Sequence, residues 1–449
     1  MSAEDLLAIG DRVVAMAEGG EQVEAVVVRS RDTEIRVYEG EIEQLASAET
    51  LGVGVRVIRD YRQGFAYAGT LDADVLGETL AEARDNAGFG TPDEALGLAE
   101  PDGVALAELE LFSAALAEFP TDAKVELAVA LERAARAADP RISGIESADY
   151  ADSIAEAAVV TTTGIRTAAS ETGCYVTASV LATEGDEVQD GFWFSVGRDP
   201  AELDVEAAAR GAAQRATRLL GATKPASERV TVVLDPFVTA QLLGIIAATM
   251  SGDSVLKGRS PFADRLGQTI AAPGVTLLDD PTNPEAYTAT QTDGEGLATR
   301  RNVLIDGGVL AGFLHNAYTA RRMGLASTGS AVRGGFKGTP SVGPRAVSLA
   351  PGSKSQAELV AAVGDGILVS SVSGLHSGVN PVSGDFSTGA QGLRISGGVL
   401  GAPLREFTIA STLQRMVQDV AAVGNDIEWL PMAASGVSLV INDVTVSGA

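Results

Sequence analysis

Residues 228–262 read ERVTVVLDPFVTAQLLGIIAATMSGDSVLKGRSPF, and the rest of the chain is organised around this stretch. Its β-branched start predicts a strand that ends before Asp235. Asp235 can cap the free N–H groups of a helix, and Pro236 suits the first helical position because it has no N–H to donate. Gly252 suits the left-handed residue that closes a helix. The stretch therefore predicts a strand followed directly by one helix over 235–251.

This predicted helix has almost no polar face. Its apolar residues surround the helix axis, which is typical of a helix that is buried on most sides. They are Phe237, Val238, Leu242, Leu243, Ile245, Ile246, Ala247, Ala248 and Met250. A membrane span is excluded because Asp235 and Gln241 interrupt a run that is already shorter than the roughly 20 residues required.

The composition indicates a globular protein with an acidic surface. The chain has 449 residues, of which 45% are hydrophobic and 21% charged, so it is long enough for two or three domains. Its formal charge is −27, from 33 basic and 60 acidic residues. Such a surface repels phosphate backbones and anionic membranes, so we expect neither nucleic acid nor a membrane as a partner. The acidity is most simply explained as a contribution to solubility.

Cys174 is the only cysteine, which excludes an intrachain disulfide and a thiolate zinc cluster. It lies in a strand-like run, where a small buried hydrophobe is a simpler interpretation than a nucleophile. The first twenty residues form an acidic amphipathic pattern, without the basic start and apolar core of a signal peptide. We therefore expect a cytoplasmic protein.

The chain before residue 226 repeats one order of elements. A helix, a meander of short strands and a second helix are predicted within about 1–88 and again within 122–221, without an evident residue-level repeat. A Pro-, Gly- and acid-rich linker over 89–121 separates them. The predicted class is α+β, with an N-terminal region of antiparallel sheets (1–225) and a Gly-rich C-terminal domain (226–449). That second domain is expected to have a large curved β core and few helices.

Three stretches resemble the TldD/PmbA family of modulator-of-gyrase peptidases. They are SGDSVLKGRSPF (251–262), SGLHSGVNPVSGDFS (373–387) and AVGNDIEW (422–429), and the similarity extends over nearly the whole chain. In the metal-bearing branch of that family, the helix after the Asp-Pro pair carries His-Glu-x-x-x-His, and a Cys near the C-terminus completes a zinc site. In this sequence the motif falls on Gly244, Ile245 and Thr249, and the C-terminal metal segment is shortened to PMAASGVS (431–438).

None of the three motif residues can bind zinc or transfer a proton as the motif requires. The resemblance is therefore to the PmbA branch, also called TldE, which lacks the HExxxH motif. It implies a metal-free subunit of a heteromeric TldD/TldE zinc metallopeptidase that acts on small or unfolded peptides. This chain would complete the substrate cleft, without a cofactor or catalytic residue of its own. Zinc would lie in a TldD-like partner, and a homodimer can form when the chain is alone.

Two other functions stay open. The first is a non-enzymatic, homo-oligomeric peptide-binding or regulatory protein. The second is a metal-independent hydrolase, which is disfavoured because no nucleophile–base pair is evident. The two histidines of the chain, His315 and His376, are each more simply structural than metal-binding, since zinc sites need three or four converging ligands.

In the family, the segment around His376 borders the peptide-binding cleft. Its repeated glycines let another backbone approach closely, and exposed backbone groups can pair with an extended peptide. Arginines near residues 321–333 can meet a carboxylate of a substrate or partner. We therefore predict a substrate-binding set: His315, Asn316, Arg321, His376, Ser377, Asn380, Gly384 and Phe386. The alternative, a Gly-rich turn that only shapes the sheet, carries equal weight.

Overall fold

The computed structural model describes residues 3–448. Before residue 225, a helix, three strands and a second helix occur twice. The first set is α1 (Ala3–Val14), β1 (Glu21–Tyr38), β2 (Glu41–Arg59), β3 (Arg62–Ala68) and α2 (Ala73–Phe89). After a short helix α3 (Ala114–Ala117), the second set is α4 (Thr121–Ala137), β4 (Ile142–Thr161), β5 (Arg166–Glu184), β6 (Glu187–Gly197) and α5 (Val205–Thr217). The repeated order of elements agrees with the sequence pattern.

The strands are longer than the sequence predicts. The predicted meander consists of short strands, but β1 continues without a break through the polar residues 29–33. Arg31 pairs with Glu49 of β2 on one side and with Ile154 of β4 on the other. A central strand keeps its hydrogen bonds on both sides regardless of which side chains it carries, so the polar residues do not end it.

The two sets form one six-stranded sheet in the order β3-β2-β1-β4-β5-β6. Its centre is the antiparallel pair β1–β4, and the order of strands is the same when read outward from that pair in either direction. The sheet therefore has an approximate two-fold axis between β1 and β4. Its helices lie on one face. There α1 and α2 cover Val23, Ala25 and Val27, and α4 and α5 cover Ile35 and Val37.

Two glycines occupy equivalent positions in the two halves related by the approximate two-fold axis. A Cβ at Gly64 of β3 would collide with the backbone of α2 at Ala83 and Ala87, and a Cβ at Gly191 of β6 would collide with α5 at Ala212 and Ala216. In both places, the outer strand and its helix approach so closely that no side chain fits between them.

The segment 89–121 has little regular structure, as expected for a linker, but it is firmly packed. Leu98 and Leu116 are fully buried. Asp102 forms an ion pair with Arg300. Backbone carbonyls of the segment also accept hydrogen bonds from Arg321. The linker is thus fixed against the C-terminal part of the chain.

The C-terminal part contains a closed, curved sheet. Its first elements are β7 (Glu228–Leu234), α6 (Pro236–Thr249), α7 (Gly252–Leu256), β8 (Leu277–Asp279), β9 (Asn302–Asp306), β10 (Val309–Leu310), α8 (Ala317–Met323), β11 (Ala331–Val332), β12 (Ser341–Val342) and β13 (Val347–Leu349). Then follow α9 (Gln356–Val363), β14 (Gly366–Ser373), α10 (Leu375–Gly378), β15 (Asp385–Ser396), β16 (Val399–Thr412), α11 (Leu413–Gln418), β17 (Val420–Val423) and β18 (Leu439–Ser447).

The main C-terminal sheet has the order β16-β15-β14-β7-β18-β17, and β16 also pairs with β18. This extra pairing closes β16, β15, β14, β7 and β18 into a ring. Strands β7 and β14 are parallel, and the other neighbours are antiparallel. The predicted α+β class with a curved C-terminal β core is confirmed. Within residues 3–448, no helix is long and apolar enough to cross a membrane.

Candidate functional site

Helix α6 begins at the end of β7, where the sequence predicts it. The Asp235 side chain accepts a hydrogen bond from the N–H of Phe237 (3.1 Å), and Pro236 occupies the first turn. The N–H of Asp235 donates to the carbonyl of Val369 (2.9 Å), which ties the helix start to β14. Helix α6 covers Pro236–Thr249, so the helix predicted over 235–251 is confirmed within two residues of each end. The predicted stop at Gly252 is wrong, because Met250 caps α6 and Gly252 is the first residue of α7.

One side of α6 is open, although the sequence predicts burial on most sides. Leu242, Leu243 and Ile246 lie in the main C-terminal core. Gln241, Gly244, Ile245 and Ala248 lie on the opposite side, because positions three, four and seven apart share a helix face. Ala248 is exposed, Ile245 is half-buried, and a Cβ at Gly244 would meet no atom within 4 Å. We call these four residues the motif strip.

The motif positions do not fit a zinc ion. Gly244 offers no side-chain donor and Ile245 only an alkyl group, whereas zinc in proteins is bound by imidazole, thiolate or carboxylate. Thr249 is buried, and its hydroxyl donates to the carbonyl of Ile246 (2.6 Å). Across residues 3–448, no group of three or more His, Cys, Asp or Glu side chains is placed to hold a metal.

His315 and Asn316 lie together at the start of α8. The His315 side chain is buried, with Nδ1 3.2 Å from the hydroxyl of Thr319, and its Nε2 has no hydrogen-bond partner among residues 3–448. Burial lowers the pKa of His315, which favours the neutral imidazole. The Asn316 side chain accepts from the N–H of Thr319 (2.9 Å) and caps α8. Both residues thus have a structural role.

The Arg321 guanidinium holds the linker. It donates to the backbone carbonyls of Ala95, Gly97 and Leu98, at distances of 2.6 to 3.0 Å. These bonds engage both terminal nitrogens of the guanidinium. The sequence pattern predicted instead that this side chain meets a carboxylate of a substrate or partner. The structure therefore gives Arg321 an intramolecular contact in place of an open binding position.

The segment around His376 is an exposed turn between β14 and β15. His376, Ser377 and Asn380 are exposed, whereas Gly384 and Phe386 are buried. The Asn380 side chain accepts from the N–H of Val382 (2.9 Å), so it stabilises the turn itself.

Gly384 has a φ of +83°. A Cβ there would collide with the side chain of Gln414. The close approach that this glycine allows is therefore to the chain itself, which favours the structural alternative at this position.

The predicted site residues form two separate groups. His315 and Asn316 share Thr319, and the N–H of Gly384 donates to the carbonyl of Asn380 (2.8 Å). Within the described residues, no hydrogen bond or ion pair joins the first group to the second. Three of the predicted residues, His376, Ser377 and Asn380, remain exposed enough to contact a peptide.

A buried charge cluster was not predicted. Glu24 of β1 binds Arg56 of β2 (2.6 Å) and Arg333 of the C-terminal part (2.5 Å), and Glu295 lies 3.9 Å from Arg56. Burial would raise the pKa of Glu24, but Arg333 and Arg56 outweigh it and hold that pKa below its ordinary value. In the sequence, Glu24 and Arg56 each lie within an otherwise apolar strand, and this pattern indicates a buried ion pair.

The acid Asp293 lies near this cluster. Burial, together with the neighbouring Glu295, raises the pKa of Asp293 to about 7. A cavity of about 300 Å³ lies between the helix-free face of the N-terminal sheet and the C-terminal loops, and Asp293 and Arg333 line it together with Val26, Val28 and Arg345. The cluster therefore lies where the two parts of the chain meet.

The sequence and fold both match one family. The models "PmbA/TldA metallopeptidase domain 1", "central domain" and "C-terminal domain" match residues 23–87, 115–220 and 227–448. The chain belongs to the PmbA/TldD family. The PmbA/TldD match thus includes the sheet, α6 and the turn around His376.

Individual PmbA/TldD relatives are similar over nearly their whole length. The metalloprotease PmbA of Escherichia coli O157:H7 is 27% identical over 428 residues, which cover 95% of this chain and 92% of the relative. The crystal structure of TldE from Thermococcus kodakarensis has a TM-score of 0.89 and 27% identity, and it covers all of both chains. A candidate modulator of a DNA gyrase from Thermotoga maritima has a TM-score of 0.90 and 25% identity, with 98% and 99% covered.

Proposed function

We propose that this chain is the metal-free subunit of a heteromeric PmbA/TldD-type zinc peptidase that acts on small or unfolded peptides. The observation that carries the proposal is the chemistry of α6, where Gly244, Ile245 and Thr249 stand at the three motif positions. The similarity to TldE over the whole chain supports it. A cytoplasmic location is part of the same proposal.

In this proposal the partner supplies zinc and activates the water, and this chain shapes the cleft. The motif strip is suited to that role because it is open, small and uncharged at Gly244 and Ala248. A surface of this kind lets an extended peptide lie close to a helix without a competing charge. The exposed turn with His376, Ser377 and Asn380 adds hydrogen-bonding groups for peptide backbone.

A second candidate is a homo-oligomeric peptide-binding or regulatory protein. It is favoured by the same exposed turn, which offers polar contacts without a nucleophile–base pair beside it. In that case the chain would bind peptides but assemble only with itself.

Reconstitution with the HExxxH-bearing homologue from the same genome separates the two candidates. We expect a complex of both chains that cleaves an unfolded peptide, whereas each chain alone is inactive. A chain that assembles only with itself, and adds nothing to the homologue's activity, would support the second candidate.

A matched pair of variants tests the role of the motif strip. Ala248→Trp fills the open side of α6 and should lower kcat/KM of the complex about tenfold or more, with assembly unchanged. Ala81→Trp places the same side chain at an exposed position of α2 and should leave cleavage unchanged. Equal activity of both variants would show that the motif strip does not line the substrate cleft.

A further inference from the structure

The cavity between the N-terminal sheet and the C-terminal loops has an apolar floor. Strands β1, β4 and β5 form this floor on the helix-free face of the sheet. It consists of two rows of paired residues, Val26, Val159 and Thr167 in the first and Val28, Ala157 and Ala169 in the second. Five of these six side chains are aliphatic. The floor is therefore suited to an aliphatic group of a ligand.

The cavity is small, and its opposite wall rests firmly on the sheet. Its volume of about 300 Å³ is at the lower end of the roughly 300–1,000 Å³ that ligand sites occupy. The hairpin of β11 and β12 contributes Arg333 to the wall and also carries Phe336. A Cβ at Gly52 or Gly54 of β2 would collide with Phe336, so the hairpin lies directly against the sheet. The cavity is therefore a preformed space for a small molecule.

Among residues 3–448, five charged residues line the cavity, and three of them already have partners. The Asp293 carboxylate accepts hydrogen bonds from three backbone N–H groups, at distances of 2.9 to 3.1 Å. Arg333 forms its ion pair with Glu24 and also donates to two backbone carbonyls. Glu156 lies 3.8 Å from Arg29. These three residues therefore need no ligand to balance their charge.

The other two charged residues, Arg345 and Glu171, have no such partners. Within the described part of the chain, neither side chain forms a hydrogen bond or an ion pair, with each other or with another group. The Arg345 backbone is held in place, since its N–H donates to Asp279 (2.9 Å) and its carbonyl accepts from Thr288. Arg345 is half-buried, and a guanidinium withdrawn from water without an acceptor is costly. Its environment therefore favours a bound anion.

Glu171 offers the opposite charge at the open side of the cavity. It pairs with Ala155 of β4 in the next row of the floor, and it is exposed. A guanidinium and a carboxylate that line one cavity without contacting each other are complementary to a molecule with one charge of each sign. A simple carboxylate would leave Glu171 unpaired, and a simple amine would leave Arg345 unpaired.

We propose that this cavity binds a free α-amino acid with an aliphatic side chain. The Arg345 guanidinium binds the carboxylate through two parallel N–H donors, which is the geometry that arginine favours. Glu171 binds the ammonium group, and the aliphatic side chain lies on the floor formed by Val26, Val28 and Val159.

This site differs from the surfaces that the proposed function assigns to a peptide. None of the described residues that line the cavity belongs to the motif strip or to the turn around His376. The amino-acid site therefore goes beyond the proposed function, and the failure of a zinc or cleavage assay would not affect it.

Calorimetric titration of the full-length chain with three small probes tests the ligand class. L-Leucine carries both charges and an aliphatic side chain, isocaproate lacks the amino group, and isopentylamine lacks the carboxylate. We expect leucine to bind with a Kd of about 1 mM or below and each of the other two to bind at least about tenfold more weakly. If either of them binds as tightly as leucine, the amino-acid assignment is overturned. No binding of leucine would overturn the site itself.

Charge variants test where leucine binds. Arg345→Gln and Glu171→Gln each remove one charge from the cavity, and Arg210→Gln, at an exposed position of α5, is the matched control. We expect both cavity variants to weaken leucine binding about tenfold or more and the control to leave it unchanged. Undiminished leucine binding by either cavity variant would overturn the assignment.

An uncharged variant provides a second test of the position. Ala157→Leu fills the floor of the cavity and should abolish leucine binding without a change of charge. Unchanged binding by this variant would contradict the site. Thermal unfolding checks that each variant is folded, and because Glu171 is exposed, Glu171→Gln keeps the test valid even if Arg345→Gln does not fold.

Discussion

The guanidinium of Arg333 donates to the carboxylate of Glu24, which lies 309 positions earlier in the chain. Arg56 donates to the same carboxylate through two nitrogens. One buried acid thus holds the N-terminal sheet and the C-terminal part together, and both arginines depend on it for their main counter-charge.

Glu24→Gln should destabilise the protein by about 3 kcal/mol at neutral pH, because it leaves two buried arginines without that charge. The pKa of Glu24 is lowered from 4.5, so its contribution is present above that pH and is lost as the pH falls below it. The difference between variant and wild type should therefore shrink in acid. Chemical unfolding of the variant and the wild type at neutral pH and below pH 4.5 measures this difference in the free energy of unfolding.

The control for this prediction is Glu49→Gln. Glu49 pairs with Arg29 at the surface, so its loss should cost less than about 1 kcal/mol. Similar losses for the two variants would show that the buried cluster adds no special stability.

Gly64→Ala and Gly191→Ala should each destabilise the protein by about 2 kcal/mol, because the added methyl group forces the outer strand away from its helix. Gly77→Ala, inside α2 with open space around it, should instead stabilise by about 1 kcal/mol. Thermal unfolding of the three variants measures this. A destabilising effect at only one of the two packed glycines would contradict the equivalence of the two halves of the sheet.

Histidines placed at the two motif positions of α6, Gly244 and Thr249, should have unequal effects on stability. Gly244→His points into open space and should change the free energy of unfolding by less than about 1 kcal/mol. Thr249→His must fit a larger ring into a buried position and should cost about 2 kcal/mol or more. If both variants are equally stable, the α6 environment described above is incorrect.

Cys174 should not react with alkylating reagents in the folded protein. Its side chain is fully buried, and burial raises the pKa of the thiol to about 12, so the reactive thiolate is scarce at mildly alkaline pH. Labelling followed by mass measurement should show modification only after denaturation. Rapid labelling of the native chain would indicate an accessible thiol.

Local signals in the sequence predict the elements of this fold well. The Asp-Pro pair at residues 235–236 predicts where β7 ends and α6 begins. The length of β1 could not be predicted, because its polar centre is held by pairing with strands that come much later in the chain. The closure of the C-terminal ring by β16 and β18 is likewise a long-range contact without a local pattern.

The candidate site is less predictable for the same reason. The sequence identifies the altered motif at Gly244 and Thr249. It does not reveal that Gly244 faces open space whereas Thr249 is buried. It groups Arg321 with the substrate-binding residues, whereas the side chain holds a linker more than 200 positions away. Tertiary packing determines which groups a side chain contacts within the chain. Those contacts decide whether the side chain has a structural role or is available to bind a substrate.

The most direct test of the account is the zinc content and peptidase activity of this chain purified without its partner. We expect no stoichiometric zinc and no cleavage of an unfolded peptide, because Gly244, Ile245 and Thr249 provide neither ligands nor a general base. Addition of the HExxxH-bearing homologue should then produce chelator-sensitive cleavage. Stoichiometric zinc together with chelator-sensitive cleavage by the isolated chain would contradict the account.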